Sequence, residues 1–141
     1  MKINSTQIQE IIDGLLAGFN VYINKETLEI ANIPDIDELY GDTELWEEDI
    51  TRIESEWLDY ALITKMESRE AFRVMESFID VIDDIRLKED LKKTLNRKSP
   101  LANFKAEIDD SEYRQKWFDF RNVKYEEYVK EQLEIEDIEF E

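Results

Sequence analysis

The stretch SREAFRVMESFIDVIDDI, residues 68–85, decides how the rest of the chain is interpreted. Its main apolar residues recur at three- and four-residue steps, the period of an α-helix. They are Phe72, Met75, Phe78, Ile79, Ile82 and Ile85. Ala71, Val74 and Val81 widen this stripe until most of the circumference is apolar. A helix of that kind is usually buried on more than one side, so the stretch predicts a central core helix with Ser68 as its N-cap.

Length and composition predict one globular domain. The chain has 141 residues, 42% of them hydrophobic, which is enough to bury a core. We expect three parts: residues 1–66 with a helix, a hairpin and a third strand, residues 67–134 as the helical part, and an acidic tail at 135–141. With no apolar leader and no apolar run of membrane-spanning length, we expect a cytoplasmic protein that does not contact a membrane.

The absence of two residue types excludes several kinds of site. There is no cysteine and no histidine. Disulfides, thiolate or histidine metal sites, and Ser-His-Asp or Cys-His catalysis are therefore excluded. Three glycines are too few for a glycine-rich phosphate loop. We expect no cofactor, and the chain is more typical of a non-enzyme than of an enzyme.

The net charge of −18 is unevenly distributed. Residues 26–60 hold 13 acids and one base, and residues 126–141 hold eight acids and one base, whereas residues 61–125 are nearly neutral. The simpler explanation, which we favour, is solubility. The more specific alternatives are an acidic face that meets a basic partner, or one that imitates nucleic acid. Direct nucleic-acid binding is disfavoured because phosphate contacts need clustered Lys and Arg.

The first third of the chain predicts a helix followed by a β-hairpin. Ser5 is the expected N-cap of the helix, and Gly18 is placed to end it. FNVYIN and TLEIANI alternate like strands around a turn at residues 24–26, and Pro34 ends the second. Residues 35–56 are acidic and remain open between a short helix capped by Thr43 and an irregular segment. The calcium-loop spacing is absent there.

The remaining blocks predict a third strand and more helices. WLDYALIT, residues 57–64, is the third strand, and Asp84 caps a helix after the central one. Ser99 and Pro100 restart a short helix, and Asp110 or Ser111 opens a long one. The tail EIEDIEFE is an edge strand or an exposed end, and its charges favour fraying. Together these elements predict an α+β fold in which a small, about three-stranded antiparallel sheet packs with an N-terminal helix and a C-terminal helical bundle.

A series of blocks resembles the bacterial uncharacterised protein family (UPF) number 0158. The blocks follow the family's order from the hairpin onward, and they are Arg69, Phe72, Met75 and Phe78, then Phe104 and Lys105, then Trp117 and Phe120. The resemblance implies an α+β fold with a small antiparallel sheet on C-terminal helices, and it implies no activity. Relatives have an aromatic residue and two arginines where this chain has Leu101, Ala102 and Asn103. Of that cluster only Lys105 is kept.

Four acids at the end of the central stretch are the candidate metal ligands. They are Glu76, Asp80, Asp83 and Asp84. Clustered carboxylates on one strip of a helix could hold Mg²⁺ or Mn²⁺, or could raise one another's pKa to make a general acid. The simpler alternative, which we favour, is a solvated helix face shared with Arg73.

Two further groups are candidates for binding. One is a basic cluster formed by Arg86, Lys88, Lys92, Lys93, Arg97 and Lys98. It could bind an anion, but we favour a contact with the acidic segment or tail of the same or another molecule. The other group comprises the binding candidates Phe104, Lys105, Trp117, Phe118 and Arg121. A possible aromatic groove combines two of them with further aromatics, and its members are Tyr113, Trp117, Phe118, Phe120, Tyr125 and Tyr128. Aromatics at helical spacing more often form core, with Phe118 the one expected to be exposed.

The sequence therefore favours a protein–protein interaction or regulatory module that uses an acidic surface. The expected partner is an unidentified basic protein, and self-association is compatible with the charge pattern. One alternative is a carboxylate- and divalent-metal-dependent enzyme centred on the acidic strip of the central helix. A second alternative is a nucleic-acid mimic.

Overall fold

A computed structural model describes residues 1–35 and 44–141. In chain order its helices and strands are α1 (Ser5–Leu16), β1 (Phe19–Asn24), β2 (Ile30–Pro34), α2 (Glu47–Ser55), β3 (Tyr60–Ile63), α3 (Ser68–Ile79), α4 (Ile85–Leu95), α5 (Pro100–Asp109) and α6 (Arg114–Ile135). Short 3₁₀ turns occupy Glu44–Trp46 and Trp57–Asp59. The α+β class with an antiparallel three-stranded sheet is confirmed. The cap predicted at Thr43 lies outside the described residues.

The chain divides into two compact units. The first unit comprises Met1–Lys65 and Tyr125–Glu141, and the second comprises Met66–Lys124. The chain passes from the second unit back to the first within α6.

The first unit is built on the antiparallel sheet, with strand order β2-β1-β3. Side chains alternate between its two faces, as they must in a strand. Val21, Ile23 and Ile63 face a core shared with α1 and the end of α6. Tyr22 and Ile33 face the opposite side, towards α2. The sheet therefore separates two apolar clusters within this unit.

The ends of α1 refine the sequence prediction. The N-cap is Asn4 rather than Ser5, because the Asn4 side chain accepts the Gln7 backbone N–H while the Gln7 side chain accepts the Asn4 backbone N–H. This reciprocal capping box pairs two backbone donors at once. The prediction for Gly18 is confirmed: it follows the C-cap Ala17 with a φ of +93°, a conformation that suits glycine.

The hairpin turn is longer than the predicted three residues. The Asn24 side chain accepts the backbone N–H groups of Glu26 and Thr27, and Leu28 has a φ of +62°. Residues 25–29 therefore form the turn, and β2 begins at Ile30 rather than at Thr27. β1 and the end of β2 at Pro34 match the prediction.

The acidic tail is not frayed. The Ile3 N–H donates to the Glu139 carbonyl at 2.9 Å, and the Glu141 N–H donates to the Ile3 carbonyl at 2.9 Å. Ile138 is buried in the same core as Ile3. The expectation of fraying is wrong because this apolar side chain, spaced between the charges, anchors the tail while the carboxylates stay at the surface.

The second unit has an aromatic core. Phe78 of α3 packs against Trp117 of α6 with ring centroids 5.2 Å apart, and Phe104 of α5 meets the same indole edge-on at 5.2 Å. Phe120 lies 5.3 Å from Phe78. Such tilted and edge-on pairs are the favoured arrangement of aromatic rings. Phe78, near the C-terminal end of α3, thus anchors this helix in the core. The expectation that the helix is buried on more than one side is wrong, because only Met75, Phe78 and Ile79 of its 12 residues are buried, and these lie on one face.

The central helix is shorter than predicted. It ends at Ile79, and residues 80–84 turn before α4 begins. Asp84 is extended and accepts the Leu87 N–H at 3.1 Å, so its predicted role as the N-cap of the following helix is confirmed. Ile82 is still buried, whereas Ile85 is 73% exposed. At the other end the N-cap is Glu67, not Ser68, and it makes no side-chain cap bond.

The last two helices also differ in detail. Ser99 and Pro100 start α5 as predicted, although Ser99 has a φ of +51° and makes no side-chain cap bond. The long helix α6 starts at Arg114, not at Asp110 or Ser111. The Ser111 hydroxyl instead donates to the Ile108 carbonyl and accepts the Tyr113 N–H, which holds this segment in a turn.

Candidate functional site

The most distinctive surface of the first unit comprises residues 44–59. We call it the acidic–apolar surface. Leu45 is 85% exposed, Trp57 67% and Leu58 72%. Trp57 and Leu58 are adjacent, and neighbouring large apolar side chains that are both exposed mark interaction sites more often than isolated ones do.

The fold of the first unit explains why this surface points outward. α2 carries few apolar residues, and these face the sheet: Ile53 is buried and Ile50 is half-buried, both against Ile33 of β2. Its remaining residues are mostly acidic and are left at the surface. Such a one-sided pattern is typical of a surface helix.

The acidic–apolar surface holds seven carboxylates and one base, Arg52. The Arg52 guanidinium donates to Asp49 Oδ1 at 2.7 Å. A hydrogen bond with Tyr60, helped by the carboxylates of Asp49 and Glu29, raises the pKa of Arg52 above its usual value. Arg52 is thus paired within the surface, and the excess of carboxylates gives the surface a net negative charge.

A groove of 670 Å³ runs along the outer side of α2. Glu44, Glu48 and Arg52 line it together with Leu45 and Thr51. Glu44, Glu48 and Arg52 are four residues apart, and Leu45, Glu48 and Thr51 are three residues apart. Both spacings place side chains on one side of a helical segment. The groove is open to solvent, and its lining is acidic with an apolar end at Leu45.

The four candidate metal ligands do not share one helix face. Glu76 lies on α3, Asp80 is its C-cap, and Asp83 is exposed in the following turn. Asp84 is engaged as the N-cap of α4. The predicted strip fails because α3 stops before the last two acids. Within residues 1–35 and 44–141, no group of three or more acidic side chains is placed to hold a metal ion.

A small cavity of the second unit brings two of those acids together with a base. Glu76 and Asp80 line it from α3 and its cap, and Lys92 lines it from α4. Its volume is 300 Å³. The other members of the basic cluster lie outside this lining. Arg86, Lys93, Arg97 and Lys98 are exposed on or after α4.

The aromatic candidates divide into core and surface residues. Phe104 and Trp117 are buried, so the core interpretation is confirmed for them. Lys105 is exposed one residue away from Phe104. Phe118 is half-buried, and the guanidinium of Arg121 lies 4.9 Å from its ring centroid. Cation–π contacts of this kind orient a surface arginine, and ligand binding by this group stays a prediction.

Sequence reasoning missed Trp57 and Leu58, because both were assigned to the third strand. The strand begins at Tyr60, and the two residues lie in a 3₁₀ turn. A signal was present in the sequence. Two adjacent large apolar residues point to opposite faces of a strand, so they cannot both be buried by one face.

Residues 8–141 match the family model of Uncharacterised protein family (UPF0158). The chain belongs to this family. The match covers essentially the whole chain, and it confirms the resemblance inferred from the blocks around Phe78, Phe104 and Trp117. No curated protein and no solved structure matches the chain. Among the residues that the structure describes, no helix is long and apolar enough to cross a membrane.

Proposed function

We propose that this member of the UPF0158 family is a non-enzymatic interaction or regulatory module of the bacterial cytoplasm. The acidic–apolar surface binds a protein partner whose matching surface is basic and contains an apolar pocket. The observation that carries the proposal is the exposure of Trp57 and Leu58, 67% and 72%, beside seven carboxylates.

The two kinds of side chain have different roles in such a contact. Trp57 and Leu58 supply apolar area, and exposed tryptophans are over-represented among the residues that dominate binding energy. The carboxylates attract a basic surface, speed its approach and reject acidic competitors. Arg52 neutralises one of these carboxylates through its bond to Asp49, and the other six keep the surface negative.

The same observation favours a protein partner over nucleic-acid mimicry. A mimic needs spaced negative charges that replace phosphates, and it has no use for an exposed indole beside an exposed leucine. The metal-dependent alternative has weaker support, because the four acids on which it was based are separated by the end of α3 and the cap of α4.

The test is a pull-down of the tagged full chain from lysate of its own cells at low and high salt, read by mass spectrometry. We expect one partner at near-stoichiometric amount, with recovery reduced at high salt. Trp57→Ser should weaken that partner's binding about 30-fold, the effect of a central hot-spot residue. Leu58→Ser should act in the same direction.

Matched control variants distinguish the loss of a specific contact with the partner from a general change in surface polarity or charge. Ile85 is as exposed as Leu58 but belongs to the second unit, so Ile85→Ser should leave recovery unchanged. Glu47→Gln with Glu48→Gln should reduce recovery more than Glu112→Gln with Glu131→Gln, which alters the net charge equally elsewhere. Equal behaviour of the paired variants would refute the proposal, and recovery of nucleic-acid-binding proteins alone would favour mimicry.

A further inference from the structure

The strand β3 lies at one edge of the sheet in the first unit. It pairs with β1 on one side, because the strand order is β2-β1-β3. The Lys25 N–H donates to the Asp59 carbonyl at 2.7 Å, and hydrogen-bonded pairs alternate with non-bonded pairs along an antiparallel ladder. Since the register places Tyr22 opposite Leu62, the backbone N–H and C=O of Leu62 point away from β1.

Two contacts mark the ends of this open edge. The Tyr60 N–H donates to the Trp57 carbonyl, and the Thr64 carbonyl accepts the Tyr128 hydroxyl at 2.7 Å. Between these contacts, the Tyr60 carbonyl and both backbone groups of Leu62 have no hydrogen-bond partner in the part of the chain that the structure describes. A row of unpaired backbone groups is a template for a further strand.

The sheet face beside the open edge is apolar and partly uncovered. Leu62 lies on the same face as Tyr22, which it opposes in the ladder. α2 covers that face at β2, where Ile53 packs against Ile33, and Leu62 on β3 is left 40% exposed. Trp57 is exposed just before the same strand. An added strand would therefore bury apolar side chains as well as backbone groups.

The charge beside the edge decides which occupant fits. Glu56 and Asp59 are exposed just before β3 and belong to the acidic–apolar surface. Lysine or arginine side chains of an added strand would complement these carboxylates. A second copy of this chain that paired through its own β3 would bring the same carboxylates close together, which is unfavourable. The charge thus favours a basic segment over a second copy.

We propose that β3 accepts an extended segment of the partner as an additional strand, and that this segment carries both basic and apolar side chains. This inference rests on the proposed function and adds the conformation in which the partner binds. Backbone hydrogen bonds to the edge supply affinity in such strand addition, and the side chains supply specificity.

The experiment measures amide hydrogen exchange of the full chain by NMR, alone and with a short end-blocked peptide of alternating lysine and valine. In the free protein the Leu62 amide should exchange much faster than the amides of Ala61 and Ile63, which face β1 in the ladder. Peptide at about ten times its dissociation constant should slow Leu62 exchange roughly tenfold, because only the unbound fraction exchanges.

Control peptides and variants test the chemistry of the added strand. A peptide of alternating glutamate and valine should bind at least about tenfold more weakly. Leu62→Lys removes apolar area and adds a charge that repels the basic peptide, so it should weaken binding about tenfold. Val123→Lys is the matched control, because it changes the charge equally at an exposed residue of the second unit, and it should bind the peptide normally.

The outcomes separate this inference from the proposed function. Binding that Trp57→Ser weakens while Leu62 exchange stays fast would support the proposed function and overturn the added strand. Slowed Leu62 exchange that Trp57→Ser leaves unaffected would do the reverse. The added strand is also overturned if the basic peptide does not bind or if Leu62 is already protected in the free protein. Protection that rises with protein concentration would identify a second copy as the occupant instead.

Discussion

The two compact units differ in both charge and core chemistry. Residues 66–124 hold 13 basic and 13 acidic residues, so the second unit is neutral and the entire net charge of −18 belongs to the first. The core of the first unit is mainly aliphatic, built from isoleucine, leucine and valine. The core of the second is centred on Phe78, Phe104 and Trp117. The net negative charge is therefore confined to the first unit and is not spread along the whole chain.

This difference suggests a division of roles. Apolar burial holds each unit together whatever its surface charge, so a unit can carry a strongly acidic surface and still fold. The first unit has such a surface beside exposed Trp57, whereas the second has equal numbers of acidic and basic residues. We accordingly place the proposed protein contact on the first unit.

The largest expected effect comes from comparing one tryptophan of each unit. Trp117 is 2% exposed in the second unit, and Trp57 is 67% exposed in the first. Trp117→Ala should lower the free energy of unfolding by about 3–5 kcal/mol, whereas Trp57→Ala should change it by less than about 0.5 kcal/mol. Urea unfolding followed by circular dichroism measures both. A similar loss for the two variants would contradict the assignment of Trp57 to a binding surface.

A second prediction concerns a close contact within the first unit. A Cβ added at Gly14 of α1 would lie 2.8 Å from Asn32 Oδ1 and 2.9 Å from Asn32 Nδ2. Alanine normally gains about 1 kcal/mol over glycine inside a helix, but here the clash should cancel that gain. In an Asn32→Ala background Gly14→Ala should stabilise by about 1 kcal/mol. A double-mutant cycle in urea checks this coupling, and additive effects would disprove it.

The charge difference itself predicts a smaller effect. Repulsion among the carboxylates of the first unit opposes its compact state, and salt screens that repulsion. Amide hydrogen exchange in β1 should slow when sodium chloride is added, whereas exchange in α4 of the neutral second unit should change less. Sucrose at equal osmolarity serves as the control for general solvent effects. If salt slowed amide exchange equally in both units, the slowing could not be assigned to the excess negative charge of the first unit.

The smallest effect is expected at alkaline pH. Burial, helped by the carboxylates of Asp35 and Glu54, raises the pKa of Tyr22 above 10.0. The stabilising effect of the neutral phenol is complete below the unfolded-state pKa and is lost as the pH rises through the higher folded-state pKa. Tyr22→Phe should therefore flatten the decline of stability above about pH 10, measured by urea unfolding. An unchanged decline would show that Tyr22 does not contribute to it.

A spectroscopic titration tests the cause of that shift. Phenolate absorbance of the Asp35→Asn and Glu54→Gln variants, compared with that of Tyr22→Phe, isolates the Tyr22 transition. Removing either carboxylate should lower the pKa of Tyr22, since each raises it in the folded protein. A Tyr22 transition at the same pH in the wild type, Asp35→Asn and Glu54→Gln would assign the shift to burial alone.

Local patterns determined much of the fold from the sequence. The alternation of FNVYIN placed β1, the spacing around Phe78 placed the central helix, and Asp84 and Pro100 marked the starts of α4 and α5. These signals are reliable because capping and periodicity depend on neighbours within a few residues. The order of the blocks around Phe78, Phe104 and Trp117 also predicted the family to which the chain belongs.

Only the tertiary structure decided where those elements end and which side chains meet. The end of α3 at Ile79 depends on Ile82 turning into the core, and the docked tail depends on Ile138 reaching the same cluster as Ile3. Likewise, the exposure of Trp57 and the shared cavity lining of Glu76 and Lys92 depend on how elements distant in sequence pack. Burial is a property of the assembled unit, because apolar area is removed from water only when separate elements meet.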